Sequence, residues 1–276
     1  MGTWFKWAIQ KANKIFQGSM NKPFSLEKLD AVNKKTLAPV LADHVWLLDK
    51  AWNTIALTLQ CSGPLPRNCG HAEALCINLL TRIQNELTAM KLVCGAGYSL
   101  QAFSIGSVIY ELSWLITAVG NTDTNAKEWF QHNSDLQFGK IRALTEMGLR
   151  NLEGSDTNAN DHYANYKQLC LGKHANPRLQ QTQGFEISTD PASELDLQTF
   201  RAGSACNRNE VAKSWWLIGL SVSLVENALI AFIRYHIGDV TRIEQASATV
   251  AALKQSATEI SEQAIQVWQQ NQIAND

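Results

Sequence analysis

The chain has 276 residues, 45% of them hydrophobic, with 24 basic and 25 acidic side chains and a formal charge of −1. That length and apolar content exclude disorder as the default and support a substantial core, while the near-zero charge excludes a global field directed at nucleic acid or an anionic membrane. The six cysteines (Cys61, Cys69, Cys76, Cys94, Cys170 and Cys206) have no Cys-x-x-Cys spacing, and several fall within apolar helical patterns, which points to reduced thiols and a cytoplasmic setting. The first residues lack the charged start, apolar stretch and small-residue cleavage site of a signal peptide, so secretion is not expected.

In chain order, Trp4, Phe5, Ala8, Ala12, Ile15 and Phe16 make one helical stripe, with Lys6, Lys11 and Lys14 off it. Residues 1–20 therefore read as a peripheral amphipathic helix that either docks on the rest of the protein or rests on a membrane surface, docking being the simpler expectation. A second helical region covers about Ser25 to Leu59, with a break or bend expected at Pro39. The stretch Cys61 to Pro66 ends it. Cys76, Leu79, Ile83, Leu87, Met90 and Cys94 recur every three or four residues, which predicts a helix over Ala72 to Cys94. A nearly all-apolar helix follows from Tyr98 to Val119, and Thr122 or Asp123 caps a fifth reaching toward Leu152.

Residues 153–160 read as a loop, with Asp161 as cap of a short helix bearing Tyr163, Tyr166 and Cys170. Residues 176–209 form one long irregular loop, with a stray strand at Phe185 to Ile187 and a short helix start at Asp190-Pro191 as its only regular signals. Such a loop is a candidate lid or partner-binding element. Asn207 and Glu210 make a capping box for a helix running to His236. Its stretch Trp215 to Ile233 is long enough to cross a bilayer, but Glu226 and Asn227 at its centre favour a helix buried among helices. Thr241 with Glu244 starts the last helix, residues 241–272, whose Ile243, Ala246, Val250, Leu253, Ala257, Ile260, Ala264 and Val267 form a heptad-type seam. That seam packs within the chain or, alternatively, against a second copy or a protein partner. The expectation is an all-α protein, a single helical bundle of about seven to eight helices.

Signatures of chemistry are sparse. Gly95-Ala96-Gly97 lies between two helices, the wrong context for a dinucleotide loop, and zinc, serine-hydrolase and Glu-x-x-His spacings are absent. No metal site or cofactor is expected. What remains are polar groups on apolar helices. Ser104, Ser107 and Glu111 fall within about 60° of one another at 100° per residue, and Ser223, Asn227 and Arg234 form a second stripe with Glu226 beside it. Either these groups make a buried hydrogen-bond network that sets helix register, or Glu111, Glu226, Arg234 and His174 converge on a small polar pocket. A buried carboxylate needs a partner, and His174, Lys173, Arg234 and Arg142 are candidates for Glu111.

The run Gly97-Tyr98-Ser99-Leu100-Gln101-Ala102-Phe103-Ser104-Ile105-Gly106-Ser107-Val108-Ile109-Tyr110-Glu111 resembles the "small residue, apolar pair, Arg-Ser-x-x-Glu" helix of a bacterial family of unknown function. That family is grouped with the HEPN (higher eukaryotes and prokaryotes nucleotide-binding) superfamily of helical bundles. Tyr166 through His174 is similar to its later Tyr-x-x-Leu-(Ser/Cys) segment ending in histidine. Where the family has arginine four residues before the glutamate, this chain has Ser107. The Arg-x(4–6)-His spacing of HEPN-type ribonucleases is also missing.

The resemblance implies a prokaryotic stress or phage-defence protein that binds nucleotide or RNA at an interior polar site. Glu111 and His174 would be its central pair, with Ser107, Tyr166, Lys173, Glu226 and Arg234 around them. A ribonuclease activity would be by analogy with the superfamily, His174 acting as general acid or base and Lys173 or Arg234 stabilising phosphate charge. The competing expectation is a non-enzymatic interaction or sensor bundle whose buried polar groups are structural.

Overall fold

The apolar periodicities are realised as eight helices among the residues that the computed structural model describes, 26–63, 69–131, 138–172, 185–189, 196–200 and 208–273. They are α1 (Leu26–Ser62), α2 (His71–Gly95), α3 (Ser99–Val119), α4 (Asp123–Gln131), α5 (Phe138–Glu153), α6 (Ala159–Cys170), α7 (Arg208–His236) and α8 (Val240–Ile273). A hairpin, β1 (Phe185–Thr189) paired antiparallel with β2 (Asp196–Phe200), interrupts the expected loop in register Phe185↔Phe200 to Thr189↔Asp196. The class is all-α. The expected helix within 1–20, the caps at Asp190-Pro191 and Asn207, and the site residues Lys173 and His174 lie outside the described residues.

The two most apolar helices, α3 and α7, pack on each other along the centre of the bundle. Helices α1 and α8 cover α7, α5 and α6 cover α3, and α2 flanks both. By length and composition alone α3 and Val211–His236 of α7 could cross a membrane, and 78% and 67% of their most apolar windows are buried inside the protein. Trp114, Tyr110 and Phe232 are the largest of the fully enclosed side chains. On α8, Ala246, Val250, Leu253 and Ile260 are buried against α1 and α7, so the heptad seam packs within the chain.

Four local expectations need correction. Helix α1 runs through Pro39 unbroken. The residue and Lys35 one turn earlier are both exposed, so water can satisfy the carbonyl that proline's missing N–H leaves behind. The single helix expected from Thr122 toward Leu152 is two, α4 packing on α2 and α5 on α3. Asp161 sits in the first turn of α6 after the N-cap Asn158. The cap of α8 is Asp239, whose Oδ1 accepts from Arg242 N at 2.9 Å, two residues before the expected Thr241.

Thr122 does cap α4, its Oγ1 accepting from Asn125 N at 3.2 Å. That leaves Asp123 for a longer-range task. Its Oδ1 accepts from Ala72 N at 2.9 Å and so closes the N-terminus of α2, where a carboxylate also opposes the helix dipole. Gly70 permits the approach, since a Cβ there would lie 2.6 Å from Asp123 Oδ1. Asp123→Ala is expected to destabilise the protein by about 1 kcal/mol in urea unfolding, with Asp123→Asn losing less.

Candidate functional site

Helix α6 runs antiparallel to α3, and small residues set their separation. A Cβ on Gly106 would stand 2.5 Å from Leu217 Cδ1 of α7 and 3.0 Å from Leu169 Cδ2 of α6, and one on Gly172 would stand 2.6 Å from Phe103 Cβ and 2.7 Å from Leu100 O. Matching rungs follow along the interface: Gly172 with Leu100 to Ser104, Leu169 with Gly106, Tyr166 with Glu111, and His162 with Trp114.

The third rung is the centre of the site. Tyr166 Oη donates to Glu111 Oε1 at 2.7 Å, so a phenol is one partner of the carboxylate. Burial pushes the Tyr166 hydroxyl up from its ordinary range, and its bonding to Cys170 and Glu111 adds to the effect, so it remains a protonated donor. Around it the rings of Tyr110 and Tyr163 lie at centroid distances of 5.0 and 6.1 Å, and Lys167 Nζ sits 4.9 Å over Tyr163. Thr145 donates to Ile141 O at 3.0 Å, which leaves Tyr110 Oη to donate to Thr145 Oγ1, also at 3.0 Å. Burial likewise raises Tyr110.

One rung further, His162 meets Trp114 edge to face, with centroids 5.1 Å apart. His162 Nδ1 and Trp114 Nε1 are buried without a hydrogen-bond partner among the described residues. Burial lowers the imidazole's pKa against the opposing pull of Glu153 and Asp161. An orphaned pair of buried nitrogens is costly in a native interior and marks a place where a polar partner would be stabilising.

The other candidate residues are elsewhere. Ser107 is fully buried and donates to Ser104 O at 2.7 Å, one turn back in its own helix, so its hydroxyl is a satisfied structural group. Glu226 is 8% exposed on α7, its carboxyl pushed up to about 7 by burial and held down in part by Lys254 of α8. Arg234 Nη1 donates to Asn151 O at 2.7 Å, capping the end of α5. Arg142 bonds Glu146 and Asn160. Neither arginine is the cation expected beside Glu111. Thus Glu111 and Tyr166 come together, whereas Glu226 and Arg234 serve two other interfaces. The expected four-residue pocket of Glu111, Glu226, Arg234 and His174 is not assembled among the described residues.

Sequence reasoning missed Tyr110, Thr145, Trp114 and His162. His162, Tyr163 and Tyr166 share one face of α6 by their spacing, a signal that was available; the partners on α3 and α5 had none. Among the described residues no group of three or more histidine, cysteine, aspartate or glutamate side chains could hold a metal. Comparison of the chain with protein-family models, with curated proteins and with solved structures finds no match.

Proposed function

We propose that this bundle binds a nucleotide or single-stranded RNA along the α3–α6 seam, as the HEPN-like resemblance implies. The observation that carries the reading is the close packing of Gly172 on Leu100, Phe103 and Ser104. In sequence the basic pair Lys173 and His174 follows Gly172 directly, and the Tyr166–Glu111 bond lies on the same seam as Gly172. Ser104 and Glu111 are seven residues apart on one helix face, about 10 Å along the axis. That is the reach from the base or ribose of a nucleotide to its phosphate. Glu111 would accept from a ribose hydroxyl or a base amino group, the half-buried rings of His162 and Tyr163 would offer stacking faces, and the basic residues that follow Gly172 in sequence would supply charge for the phosphate. No cleavage step is assigned, because the Arg-x(4–6)-His spacing is absent and Ser107 stands where the family has arginine. A prokaryotic stress or defence role follows from the same resemblance, and the cysteine usage suits a cytoplasmic setting.

A separate observation favours the alternative, a non-enzymatic interaction or sensor bundle. The hydroxyls of Ser107, Thr117 and Thr145 are each bonded within their own helix, as structural groups would be. Fluorescence anisotropy separates the two readings, with a labelled single-stranded RNA and a fluorescent ATP analogue as probes. The wild type is expected to bind at least one probe. Glu111→Gln and Tyr166→Phe should each weaken that binding about tenfold, the effect of one charge-assisted hydrogen bond. Lys173→Ala and His174→Ala should weaken it more at low salt than at high salt. A wild type that binds neither probe would sink the nucleotide reading, and variants that lose thermal stability alone would establish the structural one.

A further inference from the structure

Helix α8 is shallowly seated for its length. Among its described side chains Ala246, Val250, Leu253 and Ile260 are buried, whereas the shorter α2 buries ten. It packs chiefly on α1 and α7, and residues 237–239 join it to α7. The joint is unobstructed, since a Cβ on Gly238 would meet nothing within 4 Å. The cap bond from Arg242 N to Asp239 Oδ1 lies within the start of α8, so the helix keeps its cap whether or not it is docked. Its contact with α7 is loose at Gly219, where a Cβ would meet only Ser261 Oγ, at 3.9 Å. Few buried apolar contacts and an open joint are the properties of an element that opens at a lower free energy than global unfolding.

A carboxylate lies at the same interface. Glu226 of α7 is nearly enclosed, and no hydrogen bond or ion pair reaches it among the described residues. Lys254 of α8, itself exposed, is the charge that acts on it. Charged side chains on the other helices packed against α7 hold other partners. Lys50 of α1 donates to Ala252 O and Ser256 Oγ of α8 at 2.8 and 2.6 Å, and Asp49 of α1 pairs with Lys91 of α2 at 2.7 Å. Glu111 of α3 accepts from Tyr166, and in α5 Arg142 pairs with Glu146 and Arg150 with Asp156. We infer that α8 is a hinged helix whose docking on α7 is gated by the ionisation of Glu226, closed in mild acid and opening more readily toward alkaline pH. Docking encloses the carboxyl, and undocking returns it to water. Below about pH 4.5 it is protonated in both forms, so pH has no hold on the equilibrium. Between about 4.5 and 7 the undocked form ionises and the docked form does not, which favours opening, and above 7 the effect is constant. The full span corresponds to about a 300-fold rise in the opening constant, reduced to about 30-fold by partial solvent screening.

Hydrogen exchange read by mass spectrometry tests the gate, with the wild type set against Glu226→Gln at the same pH so that intrinsic exchange rates cancel. Peptides across 243–265 are expected to be less protected than those of α2 and α3, and their exchange should respond only weakly to low urea, as a local opening does. At pH 8 they should exchange about 30-fold faster in the wild type than in the variant, and at pH 4 the two chains should agree within about twofold. Lys254→Met should speed the exchange of α8 at pH 8 and leave it unchanged at pH 4, because the lysine acts only on the ionised carboxyl. Protection of α8 equal to that of α2 and α3, with the same steep urea dependence, would show that the helix does not open by itself and would overturn the inference. So would wild-type and Glu226→Gln chains that exchange alike across α8 at pH 8.

Discussion

Gly172→Ala is expected to destabilise the protein by about 2 kcal/mol and to abolish the nucleotide or RNA binding proposed for the α3–α6 seam. A Cβ at this position would stand 2.6 Å from Phe103 Cβ, 2.7 Å from Leu100 O and 3.2 Å from Ser104 N. Two of those three atoms belong to the backbone of α3 and cannot rotate away, so the end of α6 itself must move. Overpacking of this kind typically costs about 1–3 kcal/mol. Displacement there also disturbs the seam that carries the Tyr166–Glu111 bond, which is why the binding loss should exceed what the stability loss alone explains. Gly95→Ala is the control. At Gly95 a Cβ meets nothing within 4 Å, and alanine is favoured over glycine in a helix, so that variant should be as stable as the wild type or slightly more so. Chemical denaturation and anisotropy on the same preparations distinguish the outcomes. A Gly172→Ala chain of unchanged stability would show that α6 does not seat on α3 as closely as described.

Glu226→Gln is expected to stabilise the protein at alkaline pH by about 2 kcal/mol. Glu226 lies on α7, 8% exposed, and its carboxyl is raised from 4.5 to about 7, chiefly by burial. A carboxyl whose folded pKa lies above its unfolded value disfavours the folded state once ionised. Below about pH 4.5 it is protonated in both states and carries no penalty. The penalty grows between about 4.5 and 7, as the unfolded chain ionises and the folded chain does not, and it is constant above 7. The full shift corresponds to about 3 kcal/mol, reduced to about 2 by partial solvent screening. Wild-type stability should therefore fall across that window, whereas the glutamine variant should lack this component and match the wild type at pH 4. Lys254→Met should deepen the penalty at pH 8, because the ammonium of Lys254 is the charge that opposes it. Urea titrations at pH 4, 6 and 8 measure all three chains.

The burial of the α8 seam bears on partners. Its apolar residues face α1 and α7, so a homodimer or protein complex through residues 241–272 would have to use the outer face of that helix. The outer face carries Glu259, Glu262 and Gln263, all exposed. Light scattering of the full chain decides the oligomeric state directly. A dimer that survives high salt would require an apolar contact elsewhere.

The helices of this protein were legible because their signal is local. Cys76, Leu79, Ile83, Leu87, Met90 and Cys94 occupy one side of a 3.6-residue period, and all six are buried in α2. The same argument marked the α8 seam and identified α3 and α7 as core rods. Composition and period thus determined the class, most of the element boundaries and the faces that turn inward. Periodicity did not determine which polar group on one helix meets which on another. Glu111 finds Tyr166 across 55 residues of chain, and the charge that acts on Glu226 is Lys254 of α8 rather than a group of the polar stripe of α3. Those pairings depend on where glycines such as Gly106 and Gly172 let backbones approach and on the angle between packed helices. They are properties of contacts between segments, which no single segment encodes. Caps were misplaced for a related reason. Asp123 closes α2 from the start of α4, a bond between the starts of two helices that only the assembled bundle brings within 2.9 Å.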